Sequence, residues 1–416
     1  MQELKIENNV FLHILPTDKY KHVYTYVNFS SEYNQHQRVV KTILANMLKE
    51  ASQTYPTKVD FARYLDLLYG ASLYTSCRIL GNVFNMSVSA RVLNRKFTTE
   101  DTLKQQFLLL NEIIRKPLLT SKTLAQSQKN VIASINRKKD NPTTYAISQS
   151  RKALVENTDY RDTSLISESE IKQVSLNEIQ TIYSNMLNKE RIDIYVIGDV
   201  DVLEVQKACQ IFDFESRTIS YQATEKYSLL TNLQTIETKK ITQTTLVLTY
   251  QTGLTYQDEN IYTMVAANCL LGQVPTSLLF QEVREANSLC YSIYSSLNSF
   301  NCTLTVVTSI DYQNINKVIA LIDEQITKLQ AQQVSQIELD KAVSLLTDNL
   351  VANLDDAEGC FEMELLNTVL NRTISVSEII QKLKTVKVEN ISLLMQQVSK
   401  KATYILEPEE QNEKNN

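Results

Sequence analysis

The chain has 416 residues, 43% of them apolar, and a formal net charge of −5. That is enough apolar sequence for two domains, each with its own core. The acidic balance excludes partners that demand basic patches, nucleic acid and anionic membrane among them.

Two strands open the chain. Val10 to Leu15 runs into a Pro16-Thr17-Asp18 turn, and Val23 to Phe29 alternates with the period of two that marks a strand. The period changes at Gln35. Val39, Ile43 and Met47 form one i, i+4 row and Val40, Leu44 and Leu48 the next, so 35–50 reads as an amphipathic helix. A second helix follows, with Thr57 as N-cap, Asp60 three residues on, and Gly70 where a helix stops. Strands are expected at 71–80 and 83–92, several helices from 100 to 187, a strand at 191–198 and a short helix ending near Cys209.

Residues 211–241 read as a polar linker plus an entering strand, and the order then recurs. Strand 244–250 leads to helices at 256–271 and 276–286, strands at 289–297 and 302–310, and helices over 312–330, 334–354, 358–369 and 375–399. A last strand near 402–406 precedes the polar tail QNEKNN, expected to be disordered. The joints agree as well: LDLLYGASLYTS (65–76) and FQEVREANSLCYSIYSS (280–296) both run from a helix through a small-residue break into a strand rich in Ser and Tyr. A duplicated α+β unit of about 200 residues is the simplest reading.

The six cysteines are scattered without a CxxC pair, so they read as buried small hydrophobes in a reducing compartment. The start MQELKIENN lacks a signal core, and no stretch approaches the roughly 20 apolar residues that span a bilayer. A cytoplasmic, soluble protein is expected. His13, His22 and His36 are too far apart in sequence to share a helix face at i, i+4. No GxSxG elbow, P-loop or GxGxxG is present.

The segment TILANMLKEAS (42–52) with LDLLYGASLYTS (65–76) resembles the start of the insulinase (pitrilysin) zinc peptidases, whose typical run is HFLEHMLFKGT followed by a GGSLNAYTS-like strand. That family's HxxEH helix places two histidines on one face for zinc, and its glutamate activates the zinc-bound water. Aligned on Leu44, Met47-Leu48 and Gly70, the first histidine position holds Thr42, the glutamate position Ala45 and the second histidine position Asn46. The distal ligand segment, similar to VVLEEIR, is NVIASINRKKDNP (130–142), with Ala133 and Ser134 where carboxylates would stand. The resemblance therefore implies a protein without zinc and inactive alone.

The second half keeps its motif. LFQEVREANSLCYSIYSSLNSF (279–300) is similar to the family's LFQEVREKRGLAYSVYSS-type segment, in which an arginine and a tyrosine seven residues later serve the active site of the facing half or subunit. Carried over, these are Arg284 and Tyr291, implied to bind substrate backbone and a developing oxyanion. Ser72, Leu73 and Tyr74 match the edge strand on which family members lay substrate. The resemblance implies an α+β fold of two homologous insulinase-type domains in a clamshell, assigned here to 1–215 and 216–416. A narrower likeness joins the chain to bacterial insulinase-like proteins associated with aminopentanol modification of elongation factor P. The expected role is a non-catalytic, substrate-binding subunit in a heterodimer with an HxxEH-bearing sister that alone carries zinc. The alternative is a peptide-binding or scaffold protein without hydrolysis.

Overall fold

The computed structural model describes residues 2–154, 165–219, 221 and 233–409; the tail QNEKNN lies outside them. The chain divides into two compact units, and neither is continuous in sequence. One comprises Met1–Asn136, Ile166–Ala223 and Asp355–Val369; the other comprises Arg137–Leu165, Thr224–Leu354 and Leu370–Asn416. Sequence alone suggested two contiguous halves meeting at 215/216. The structure instead completes each unit with a helix from the other half of the chain.

The first unit is built on six strands: β1 (Gln2–Glu7), β2 (Val10–Pro16), β3 (His22–Glu32), β4 (Ser72–Leu80), β5 (Val83–Leu93) and β6 (Arg191–Gly198), in the order β1-β2-β6-β3-β5-β4. The pair β2/β6 is parallel and the others are antiparallel. β1 was not expected from sequence, because its side chains are nearly all exposed and leave no apolar alternation to read. Between the strands run α1 (Gln35–Leu48), α2 (Lys58–Leu67), α3 (Thr102–Arg115), α4 (Ser121–Asp140), α6 (Glu168–Gln173), α7 (Leu176–Lys189) and α8 (Val202–Cys209). The intervening α5 (Pro142–Ala153) belongs to the second unit.

In the second unit, β7 (Leu233–Lys239), β8 (Thr244–Gln251), β9 (Cys290–Asn298), β10 (Thr303–Ile310) and β11 (Ser399–Pro408) take the order β7-β11-β8-β10-β9. This repeats β2-β6-β3-β5-β4, down to a single parallel pair, β7/β11. Its helices are α9 (Ile261–Asn268), α10 (Ile315–Gln330), α11 (Gln336–Asn353), α13 (Val376–Lys384) and α14 (Val388–Met395). The α+β reading and the duplication both hold. The long helix expected over 375–399 is in fact two helices followed by the start of β11.

The exchanged helices occupy matching places. α12 (Ala357–Val369) lies on the first sheet, where Phe361 stacks on Tyr26 at 4.0 Å and meets Tyr195 edge-on at 5.2 Å. Tyr26 and Tyr195 are register partners, so they share a face. α5 lies on the second sheet, where Ala146 packs with Val247, Val307, Tyr404 and Leu406. Each face needs such a cover, because a bare row of Val and Tyr side chains would stay in water.

Both apolar rows of α1 are buried, as their spacing requires. One charge is buried with them. The Lys41 side chain is 1% exposed, its Nζ 2.6 Å from Glu190 Oε1 and 2.6 Å from Ser31 Oγ, above the Phe84 ring. Burial pushes the Glu190 carboxyl up, against the pull of Lys41. Removing one member of such a pair strands the other charge, so Lys41→Met should cost about 3–5 kcal/mol. Lys41→Met with Glu190→Leu should recover most of that loss in denaturant titrations of the full chain.

Candidate functional site

α1 presents Thr42, Ala45, Asn46 and Lys49 opposite its apolar rows, and none of these side chains is available to a metal. The Thr42 hydroxyl donates to the Arg38 carbonyl at 2.8 Å, and Ala45 is a buried methyl. Asn130 Nδ2 donates to Asn46 Oδ1 at 3.3 Å and to Glu50 Oε1 at 3.1 Å. Asn130 lies one turn before half-buried Ser134 on α4, so the two helices that carry the metal-site positions are brought together, by a neutral amide. Zinc needs thiolate, imidazole or carboxylate donors, and a hydroxyl, a methyl and an amide do not fit it. Among the described residues, no group of three or more His, Cys, Asp and Glu side chains is placed to hold a metal.

The histidines are engaged elsewhere. His13 is buried on β2, its Nε2 2.9 Å from Asp193 Oδ1 and its ring stacked on Tyr195 at 4.5 Å. Arg191 grips the same carboxylate with Nε at 2.8 Å and Nη2 at 2.9 Å. Burial pushes the Asp193 carboxyl up, but these bonds outweigh it and hold it below its usual range. His36 pairs with Glu178 at the surface.

β4 is an edge strand, bonded to β5 on one side. Ser72 accepts from Arg91 Nη2 at 3.1 Å, Leu73 is half-buried, and Tyr74 is 58% exposed. Thr75 and Cys77 alternate with Tyr74 and face α1. Thr75 Oγ1 donates to the Ala45 carbonyl at 2.8 Å, and Cys77 Sγ approaches the Lys41 carbonyl at 3.9 Å. On the other face Arg78 bonds Glu358 and Glu362 of α12. An edge strand braced on both faces, with its outer rim open, is the geometry that accepts an added strand.

The sequence motif of the second unit is assembled in space. α9 continues as a π-helical turn at Cys269–Gln273, and a second π-helical segment, Phe280–Ala286, carries Arg284. Such turns are rare and concentrate at functional sites. Ser288 takes a left-handed φ of +51° and reverses the chain into β9. Arg284 then lies 5.5 Å from the centre of the Tyr291 ring and 4.4 Å from that of Phe280. Its Nε is 3.4 Å from Glu285. Tyr291 is 85% exposed on a sheet edge, so it does not serve a core.

None of the six cysteines is in a disulfide; Cys77 and Cys290 are half-buried and the other four buried. Asn130, Glu50 and Arg78 were not singled out by sequence, since amides and charges on helix faces and strands carry no periodic signal of their own.

Burial pushes the Cys77 thiol up to about 12. It should therefore resist iodoacetamide at pH 8 in the folded chain and react once unfolded, as peptide mapping would show. A Cβ on Gly272 would lie 2.7 Å from both the backbone nitrogen and the hydroxyl of Ser295. Gly272→Ala should cost about 1–3 kcal/mol in chemical denaturation by forcing β9 away from the helix.

Residues 173–346 match the Peptidase M16 inactive domain. The chain is 24% identical to a probable inactive metalloprotease of Bacillus subtilis, YmfF, over 98% of both chains. It is 23% identical to YmxG, an uncharacterized zinc protease of the same species, over 50% of this chain and 51% of the other. A solved conserved protein from Enterococcus faecalis V583 superposes with a TM-score of 0.91 at 25% identity over 99% of each chain. A Peptidase M16 inactive domain from Pseudomonas fluorescens gives 0.80 at 16% identity over 98% of each. Over nearly its whole length the chain is thus similar to proteins described as a probable inactive metalloprotease and an M16 inactive domain.

Proposed function

We propose that the chain is the substrate-binding subunit of a two-component zinc peptidase whose partner, an HxxEH-bearing sister, supplies zinc, water and base. The observation that carries this reading is the Arg284–Tyr291 pair. Among the described residues, the carboxylate that Arg284 pairs with is that of its sequence neighbour Glu285, and the cation stands beside a phenol open to solvent. Such a pair suits the backbone of an extended peptide and the charge that develops on its carbonyl. Thr42, Ala45, Asn46 and Ser134 then have no metal role here, and the zinc belongs to the partner.

The free outer rim of β4 at Ser72, Leu73 and Tyr74 supports a peptide ligand. It equally supports the second reading, peptide capture without hydrolysis. Cysteines outside disulfides fit a reducing cytoplasm, and no helix among the described residues is long and apolar enough to cross a membrane. The relatives named above are bacterial, which fits a bacterial pair of sister chains.

The purified chain should hold no stoichiometric zinc and cleave no peptide, by metal analysis and fluorogenic assay. Mixed with an HxxEH sister from its own host, it should restore cleavage, and Arg284→Ala should lower that cleavage by about 100-fold. Full activity of the Arg284→Ala mixture would remove the pair from the mechanism. Tight peptide binding with no cleavage alongside any sister would favour capture alone.

A further inference from the structure

Glu50 lies just past the C-terminal end of α1, where its carboxylate is divided between two helices. Oε1 accepts from Asn130 of α4 at 3.1 Å, and Oε2 is 2.5 Å from Nζ of Lys58 at the start of α2. The same Asn130 amide reaches Asn46, one turn back on α1. Amide, carboxylate and ammonium thus tie three helices at the place where metal ligands would otherwise stand. The side chain of Glu50 is only 12% exposed, so water competes weakly for these bonds. From α1 the constraint passes directly to the sheet, since Thr75 of β4 donates to the Ala45 carbonyl one turn before Glu50.

We propose that Glu50 and Asn130 are positioning residues for the free rim of β4: they hold α1 at the height that fixes where an extended peptide pairs with Ser72–Leu80. Hydrogen bonds between α1 and α4 here do the cross-linking that a shared metal does between two ligand-bearing helices. The claim about the peptide rests on the function proposed above; the claim about the cross-link does not.

The full chain is compared with Glu50→Ala, Asn130→Ala, the double alanine variant and Glu50→Gln, which keeps an acceptor for Asn130. Amide hydrogen exchange over 72–80, well below the melting temperature, should speed up about tenfold in each alanine variant. Exchange in Glu50→Gln should stay within about twofold of the parent. The double variant should exchange more slowly than the product of the two single effects, because either single change already removes the Glu50–Asn130 bond. A fluorescent extended peptide that binds the parent chain should lose affinity about tenfold in the alanine variants, and Glu50→Gln should restore it. Lower melting temperatures with unchanged exchange at 72–80 would overturn the proposal, leaving the network a stabilising contact only. Altered exchange in a parent chain that binds no peptide would keep the cross-link and sink the reading of β4 as a peptide edge.

Discussion

The burial of two adjacent rows on α1 decides where everything on that helix must point. Val39, Ile43 and Met47 with Val40, Leu44 and Leu48 occupy the core side, so residues 42, 45, 46 and 49 are left for the opposite side whatever their chemistry. Chains with different chemistry on this side can therefore share the helix. The core sets the orientation of the face, and substitutions on the face alter its chemistry without disturbing the fold. On that side Thr42 bonds to the helix backbone and Asn46 to α4.

Arg284 and Tyr291 meet because a π-helical segment, a left-handed Ser288 and an edge strand follow one another within a dozen residues. Val283 of that segment and Ile293 of that strand pack into the core, while the Tyr291 ring stays in solvent. Backbone irregularity held in place beside an exposed aromatic ring indicates a surface shaped for contact, since stability alone would favour a regular helix and a buried ring.

Much of this was legible in the sequence. The Thr57 cap was, and the hydroxyl does accept from the Asp60 amide. So were the rows of α1, the strands β3, β5 and β8, and the recurrence of the whole order. Local periodicity reports which side of an element is apolar, and nothing about which sheet it covers, so the exchange of α5 and α12 was invisible. Lys41 was invisible for another reason. A lysine is read as a surface residue, and only the approach of Glu190, far along the chain, makes a buried site for it. The amide link from Asn130 to Asn46 and Glu50 likewise joins positions some 80 residues apart, and no spacing rule connects them. The π-helical turns differ from ordinary helix by one residue in hydrogen-bond partner, which leaves the apolar pattern nearly unchanged.

The exchange of covering helices also bears on how the chain is made. By the time the ribosome has finished β6, the first sheet has all its strands, yet the face bearing Tyr26 and Tyr195 must wait for residues 355–369. At elongation speeds of about 5–20 residues per second, that wait lasts on the order of ten seconds. Throughout it an aromatic sheet face stays uncovered on a nascent chain. Synthesis, more than the finished fold, is where this architecture exposes itself to aggregation, and where a chaperone would find its first hold.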